Sequence, residues 1–212
     1  MKTQLVNVQH ARAKRDVDRT RKLILDAAIH EFARMGLQGA RVDNIAAKAG
    51  VNKAMIYYFF ESKEELYLAA LEKLFEEKTR GVDPPPRDAE ILELMSNYFD
   101  AFASNQEIVR MLLHDVASGA KALRELKHRR PDLFEPFVMV SDLLRSRIEE
   151  GKIGPIDTDK AVMLSIFLLV SLVAFRPHME LIRDNGTPAH EALADLSSWK
   201  SFLAKQAIKL LT

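Results

Sequence analysis

The sequence predicts an all-α protein. The chain of 212 residues contains only 8 glycines and 8 prolines, and it is rich in Ala, Leu, Glu, Lys and Arg, which favour helices. Apolar residues recur at intervals of three and four along most of the chain, and no run of alternating apolar and polar residues indicates a strand. From this pattern we expect about nine helices or a few more.

The composition excludes several classes of protein. Hydrophobic residues make up 48% and charged residues 29%, which is typical of a globular protein and not of a disordered one. Cysteine is absent, which excludes a disulfide framework, a thiolate metal site and a cysteine nucleophile. The N-terminus lacks the apolar core of a secretory signal, so we expect a cytoplasmic protein.

Charge is distributed unevenly along the chain. Residues 1–61 carry 11 Lys and Arg against 6 Asp and Glu, whereas the remaining residues carry 20 against 24. A basic N-terminal part and an acidic remainder indicate that the two parts bind different partners.

The first helix is preceded by a basic segment. Residues 1–18 show no sustained hydrophobic period, and we interpret them as a flexible basic arm that is frayed in the free protein and could gain order against phosphates. From about Arg19 the pattern becomes helical, and Gly36 is suited to ending that helix. The apolar residues at helical spacing are Ile24, Ala27, Ala28, Phe32 and Met35.

Two short helices follow, over 42–49 and 53–59. Ala46 is small enough for the helices to cross closely, Gly50 permits a tight turn, and Val51 closes the small core. This spacing predicts a helix-turn-helix, in which the second helix enters the major groove of DNA.

The outer face of the third helix carries two tyrosines. Ile56 and Phe60 share the inner face, whereas Tyr57 and Tyr58 point nearly the opposite way. Packing alone poorly explains outward tyrosines, but their hydroxyls can bond to phosphate oxygens and their rings can contact sugars or thymine methyl groups.

A long fourth helix is predicted to begin after Ser62, because Ser62 and Glu65 form a capping box. Its inward stripe consists of Leu66, Tyr67, Ala70, Leu71, Leu74 and Phe75. Later helices are predicted over 88–103, 106–117, 119–128, 132–150, 158–182 and 189–211. The apolar run at 161–175 is shorter than the roughly 20 residues that span a bilayer, so we predict a helix buried between protein surfaces and no membrane partner.

The stretch from Ile45 to Leu66, IAAKAGVNKAMIYYFFESKEEL, closely resembles the signature of the TetR family of bacterial transcriptional regulators. The resemblance covers residues 20–67 and implies a homodimeric, ligand-responsive DNA-binding protein, usually a repressor. The implied partners are double-stranded operator DNA, a second copy of the chain and a small-molecule effector. We expect a flexible arm at 1–18, a DNA-binding domain at 19–62 and a helical effector-binding and dimerisation domain at 63–212.

The resemblance also implies which residues line the DNA. The family often has Gly and then Thr where this chain has Ala54 and Met55, and commonly has His where Phe59 stands. Arg41 stands near the place where hydroxylated residues usually begin the second helix, and its charge could replace their phosphate contact. The expected DNA contacts are Arg41, Asn52, Lys53, Ala54, Met55, Tyr57, Tyr58, Phe59 and Lys63.

Two further sets of residues are candidates for the larger domain. The helices at 161–175 and 189–211 have apolar faces wider than one helix usually buries, which favours subunit pairing, although core packing is the alternative. The predicted interface residues are Leu168, Leu172, Leu196, Trp199, Leu203 and Leu210. Methionine and phenylalanine suit an adaptable apolar pocket but also fill ordinary cores. The predicted pocket residues are Met95, Phe99, Phe102, Met111, His114, Phe134, Phe137 and Phe167.

An enzyme is the main alternative class. The sequence contains no phosphate-binding loop, zinc-protease motif or nucleophile elbow, and its histidines are scattered. We therefore expect no catalytic residue, cofactor or metal. Two alternatives stay open: a protein of the same fold that organises the chromosome or recruits another protein, and an all-α enzyme without these motifs.

Overall fold

The computed structural model describes residues 2–79 and 105–182. Within these ranges the fold is all-α, as predicted, with eight α-helices, one 3-10 helix and no strand. The predicted helices at 88–103 and 189–211 lie outside the described residues. The elements are α1 (Lys2–Gly39), α2 (Val42–Ala49), α3 (Lys53–Phe60), α4 (Lys63–Thr79), α5 (Gln106–Ala117), α6 (Lys121–Arg129), the 3-10 helix Pro131–Phe134, α7 (Glu135–Glu149) and α8 (Thr158–Ile182).

Helix α1 begins at Lys2, so the prediction that it starts near Arg19 is wrong. Residues 2–18 contain neither glycine nor proline, and the helix therefore continues from its apolar part into the polar segment. The predicted end at Gly36 is a kink, where φ is 66° and ψ is 175°. Next to the kink Met35 is exposed, although its spacing had assigned it to the buried stripe.

The described residues form two compact units. The first unit contains residues 2–75 and 110–128, and the second contains residues 76–79, 105–109 and 129–182. The first unit is larger than the predicted DNA-binding domain, because it also holds most of α4, α5 and α6. A functional boundary between 62 and 63 stays a prediction.

The core of the first unit joins α1, α4 and α5. All six residues of the predicted α4 stripe are buried. Phe32 of α1 packs edge-on against Tyr67 of α4, with ring centroids 4.9 Å apart. The Tyr67 hydroxyl donates to the backbone carbonyl of Met111 at 3.0 Å, and burial raises the pKa of Tyr67. A buried hydroxyl with a partner both stabilises and orients this core.

Helix α6 begins at Lys121 and not at 119, because Ala120 has a φ of 54°, outside the helical region. The buried carboxylate of Asp115 accepts from the backbone N–H of Ala122 at 3.1 Å and of Leu123 at 2.9 Å. Asp115 thus satisfies amides that the first turn of α6 leaves unpaired.

In the second unit the predicted helix at 132–150 is divided. The 3-10 helix precedes α7, and Pro136 in the first turn of α7 lacks the N–H that would continue a single helix. Helices α7 and α8 pack together, and Arg145 donates to Asp159 at 2.9 Å. Helix α8 has its predicted bounds. In the described ranges, no helix combines the length and apolar character that crossing a bilayer requires.

Candidate nucleic-acid interface

Helices α2 and α3 form the predicted helix-turn-helix. Ala46 and Ile56 are buried between them. Gly50 ends α2 in the left-handed conformation, with φ 68° and ψ 30°, and the Val51 N–H donates to the Ala46 carbonyl at 3.1 Å. Glycine adopts this conformation without a steric penalty, which explains the tight turn.

One face of helix α3 packs against the rest of the first unit, and the opposite face is exposed. Ile56 and Phe60 are buried, and the Arg21 guanidinium of α1 lies 5.1 Å from the centroid of the Phe60 ring. Tyr57 and Tyr58 are 41% and 79% exposed. The predicted outward orientation of both tyrosines is confirmed, while their contact with DNA stays a prediction.

The start of α3 is fixed by Asn52, whose side-chain oxygen accepts from the Met55 N–H at 2.8 Å. This N-cap satisfies one amide of the first turn. The cap uses one lone pair of the Asn52 oxygen, and the NH₂ group of the same side chain is its hydrogen-bond donor. Ala54 is exposed, and Met55 and Phe59 are half-buried beside it.

The Lys53 ammonium lies 3.0 Å from Oδ1 and 3.1 Å from Oδ2 of Asp43, in the first turn of α2. This hydrogen bond raises the pKa of Lys53. Lys53 therefore has an intramolecular anionic partner, which the sequence reasoning did not assign to it.

The start of α4 confirms the N-cap half of the predicted capping box, since the Ser62 hydroxyl accepts from the Glu65 N–H at 3.0 Å, while the Ser62 N–H donates to the Phe60 carbonyl. The Lys63 ammonium donates to the Gln38 carbonyl at 3.2 Å. That bond ties α4 to the end of α1, so a phosphate that approaches Lys63 competes with a neutral acceptor and not with a carboxylate.

A buried carboxylate that the sequence reasoning missed holds α2 against α1. Glu31 accepts at Oε1 from the Asn44 side chain at 2.9 Å and from the Arg41 backbone N–H at 3.3 Å. Arg34 donates to its other oxygen at 3.1 Å. Burial raises the pKa of Glu31, but its hydrogen bonds, with that from Asn44 the strongest, hold the pKa below its ordinary value of 4.5. A glutamate seven residues after Ile24, on the apolar face, was the available signal.

We expect Glu31→Gln to lower the free energy of unfolding by about 2 kcal/mol at pH 7, because a hydrogen-bonded carboxylate is lost. The stability that the charge supplies is present above the carboxyl's ordinary pKa and disappears as the pH falls through the lowered one. Urea unfolding of both proteins should therefore converge below pH 4.5. The control is Glu135→Gln, at an exposed position. A difference in unfolding free energy between wild type and Glu31→Gln that stays constant with pH would contradict a stabilising charge at Glu31.

The side chain of Arg41, the N-cap residue of α2, makes no capping hydrogen bond and is exposed. It lies at an N-terminus where anions are favoured. This position is compatible with the predicted phosphate contact, which remains a prediction.

The described pocket candidates fall in both units. Met111 lies in the core of the first unit, where its carbonyl accepts from Tyr67. His114 packs against Gly36. In the second unit the rings of Phe134 and Phe137 lie 6.4 Å apart. The predicted pocket residues outside the described ranges are Met95, Phe99 and Phe102.

One face of α8 is apolar and exposed. Phe167, which was predicted to line a pocket, is 67% exposed on this face. It lies one residue from Leu168, a predicted interface residue, so its position favours subunit contact over pocket lining. Leu196, Trp199, Leu203, Leu210 and the side chain of Leu172 lie outside the described residues. The exposed apolar residues of α8 are Met163, Leu164, Phe167 and Leu168.

No cluster of His, Asp and Glu suited to a metal ion occurs in the part of the chain that the structure describes.

Comparison with known proteins gives a direct match for the helix-turn-helix. The model of a family described as bacterial regulatory proteins, tetR family, matches residues 24–70. This segment runs from the apolar stripe of α1 through α2 and α3 into α4.

Two relatives extend the match. The HTH-type transcriptional repressor SCO4008 of Streptomyces coelicolor is 39% identical over 100 residues, which are 47% of this chain and 51% of that protein. The chain therefore spans about half the length of that relative. The HTH-type transcriptional repressor NicS of Pseudomonas putida is 29% identical over 164 residues, which are 74% of this chain and 75% of that protein.

A solved structure supports the fold. The putative transcriptional regulator SCO4942 from Streptomyces coelicolor superposes with a TM-score of 0.68 at 24% identity, covering 91% of this chain and 98% of that one. Together, the geometry and the sequence matches show that the helix-turn-helix segment of this chain is similar to that of the TetR family of bacterial transcriptional regulators, whose model matches residues 24–70.

Proposed function

We propose that the protein is a repressor that binds a palindromic DNA operator as a homodimer and leaves it when a small apolar ligand binds. The observation that carries the proposal is α3 itself. Its two buried residues attach it to the first unit, while two exposed tyrosines and Lys53 lie on or beside its outer face. A helix of this kind, preceded by a tight turn, fits the major groove.

The exposed apolar face of α8 supports the dimer. Met163, Leu164, Phe167 and Leu168 recur at helical spacing and form one stripe. An isolated exposed apolar residue needs no explanation, but a contiguous patch marks a contact surface. A second copy of the chain satisfies this surface and also supplies the second reading helix that a palindrome requires.

The apolar effector is supported by the aromatic pair of Phe134 and Phe137 in the second unit. Aromatic side chains give an apolar ligand a large contact area. The effector must bind one arrangement of the dimer more tightly than another in order to change DNA affinity. Operator affinity should therefore be measured while fatty acids and aromatic compounds are titrated, and unchanged affinity at ligand saturation would contradict release.

Selection of bound duplexes from random DNA tests the proposal directly. We expect enrichment of a palindrome whose half-sites are centred about 34–36 Å apart, one turn of DNA. Binding at many unrelated sequences would favour an architectural role instead. Failure to enrich any duplex at low ionic strength would refute DNA recognition altogether.

Three variants separate the expected contacts. Tyr57→Phe should weaken binding about fivefold across sequences, because one hydrogen bond to phosphate is lost. Lys63→Ala should also weaken binding across sequences and reduce the slope of log affinity against log salt by about 0.9. Lys53→Ala should weaken operator binding and reduce discrimination between sequences.

The control for these variants is Lys160→Ala in the second unit, where an exposed lysine pairs with Asp157 at 2.7 Å. Fluorescence anisotropy with the selected operator and with a scrambled duplex, at several salt concentrations, distinguishes the three effects. Wild-type affinity of Tyr57→Phe and Lys63→Ala would remove both residues from the contact surface.

A further inference from the structure

The pair formed by Asp43 and Lys53 is unlike the other ion pairs of the first unit. Asp43 is the only acidic residue between positions 32 and 60, a segment that also contains Arg34, Arg41, Lys48 and Lys53. Its two carboxylate oxygens face the Lys53 ammonium at 3.0 and 3.1 Å. A lone carboxylate thus lies on the part of the chain that meets the phosphates in the proposed function.

The stability of the fold does not account for this pair. The Lys53 and Asp43 side chains are 49% and 71% exposed, and an ion pair in water contributes little to folding. Asp43 does lie in the first turn of α2, where a negative charge favours the helix dipole. That role needs no contact with Lys53. An effect on α2 stability and an effect through Lys53 therefore predict different results when Lys53 is replaced.

The pair changes what Lys53 can bind. Binding to random DNA depends on cations that neutralise phosphates and release counterions. The Asp43 carboxylate offsets the positive charge that a phosphate would meet at Lys53, and Asp43 itself repels the phosphate. A base edge in the major groove can accept from Lys53 without bringing a full charge next to Asp43. The carboxylate therefore penalises the non-specific contact more than the specific one.

We propose that Asp43 is a positioning residue that holds the Lys53 ammonium away from DNA phosphates and thereby increases the discrimination between operator and random DNA. The proposal rests on DNA recognition by α3, as inferred above. It assigns Asp43 a role through Lys53, separate from any effect on the stability of α2.

The test compares the affinity of wild type and Asp43→Asn for the selected operator and for a scrambled duplex across a salt series. We expect Asp43→Asn to bind scrambled DNA about fivefold to tenfold more tightly, with a salt slope steeper by about 0.9, because Lys53 then takes a phosphate. Operator affinity should rise less, so the ratio of the two affinities falls. Asp43→Glu, which keeps a carboxylate, should restore most of that ratio.

The Lys53→Met background separates the two explanations. With Lys53 removed, Asp43→Asn should leave the salt slope unchanged. An equal effect of Asp43→Asn with and without Lys53 would show that Asp43 acts by general repulsion or through α2, and would overturn the proposal. Thermal unfolding monitored by circular dichroism identifies any loss of folding in the variants.

Asp142→Asn is the matched control. Asp142 is also an exposed carboxylate paired with a cation, Arg145, but it lies in α7. The same change in net charge there should leave both affinities unchanged. If the wild type enriches no operator, the proposed function and this inference both fail. If it enriches one and Asp43→Asn leaves the scrambled-DNA affinity and slope unchanged, this inference alone fails.

Discussion

Gly36→Ala should destabilise the protein by about 3 kcal/mol, because two separate penalties coincide at this position. Gly36 has φ 66° and ψ 175°, a backbone conformation that is essentially restricted to glycine. A Cβ built there would lie 3.0 Å from Nδ1 of His114 in α5. Urea unfolding measures the change, and a loss well under 1 kcal/mol would contradict both the strain and the contact.

Gly151→Ala is a comparison at a glycine with a positive φ and no side-chain contact. Gly151 also has a positive φ, of 70°, but a Cβ there would meet nothing within 4 Å. We expect this variant to cost about 1 kcal/mol, from backbone strain alone. His114→Ala introduced into Gly36→Ala should recover the part of the loss that comes from the contact. Equal losses of unfolding free energy in the two glycine variants would show that the His114 side chain moves aside without a measurable cost.

Phe167→Glu should weaken self-association by about 30-fold or more, which corresponds to about 2 kcal/mol. Phe167 is the most exposed member of the α8 stripe. A charge placed within the proposed apolar interface would lose its hydration without gaining a partner. Analytical ultracentrifugation over a dilution series measures the dimer dissociation constant.

Val116→Glu is the control for Phe167→Glu. Val116 is an exposed apolar residue of α5 in the first unit, and the same charge introduced there should leave self-association unchanged. Operator binding by Phe167→Glu should weaken together with dimerisation, because a palindrome is read by two copies. A Phe167→Glu variant that dimerises like the wild type would exclude this face of α8 from the interface.

Local patterns predicted most of the described elements. Gly50 and Ala46 predicted the turn, Ser62 with Glu65 predicted the start of α4, and the bounds of α5 and α8 agree with the hydrophobic period. These features depend on residues close together in sequence, and their physical rules act over one or two helical turns.

The remaining features depend on residues far apart in sequence. Neither the contact of His114 with Gly36 nor the bond from Lys63 to the Gln38 carbonyl follows from local spacing. The start of α1 was missed because residues 2–18 lack an apolar period, although nothing in them interrupts a helix. In the candidate interface, periodicity predicted which side of α3 is exposed, but it could not predict that Lys53 already has a partner in Asp43.

The attachment of α3 through Ile56 and Phe60 has a consequence for how such proteins diversify. Folding depends on these two inward side chains, whereas the exposed positions Ala54, Tyr57 and Tyr58, which face the groove in the proposed function, contribute little to it. Mutations at those outer positions can accumulate after gene duplication without impairing the scaffold. Descendants of one ancestor can thus acquire control of different promoters while they inherit the same architecture.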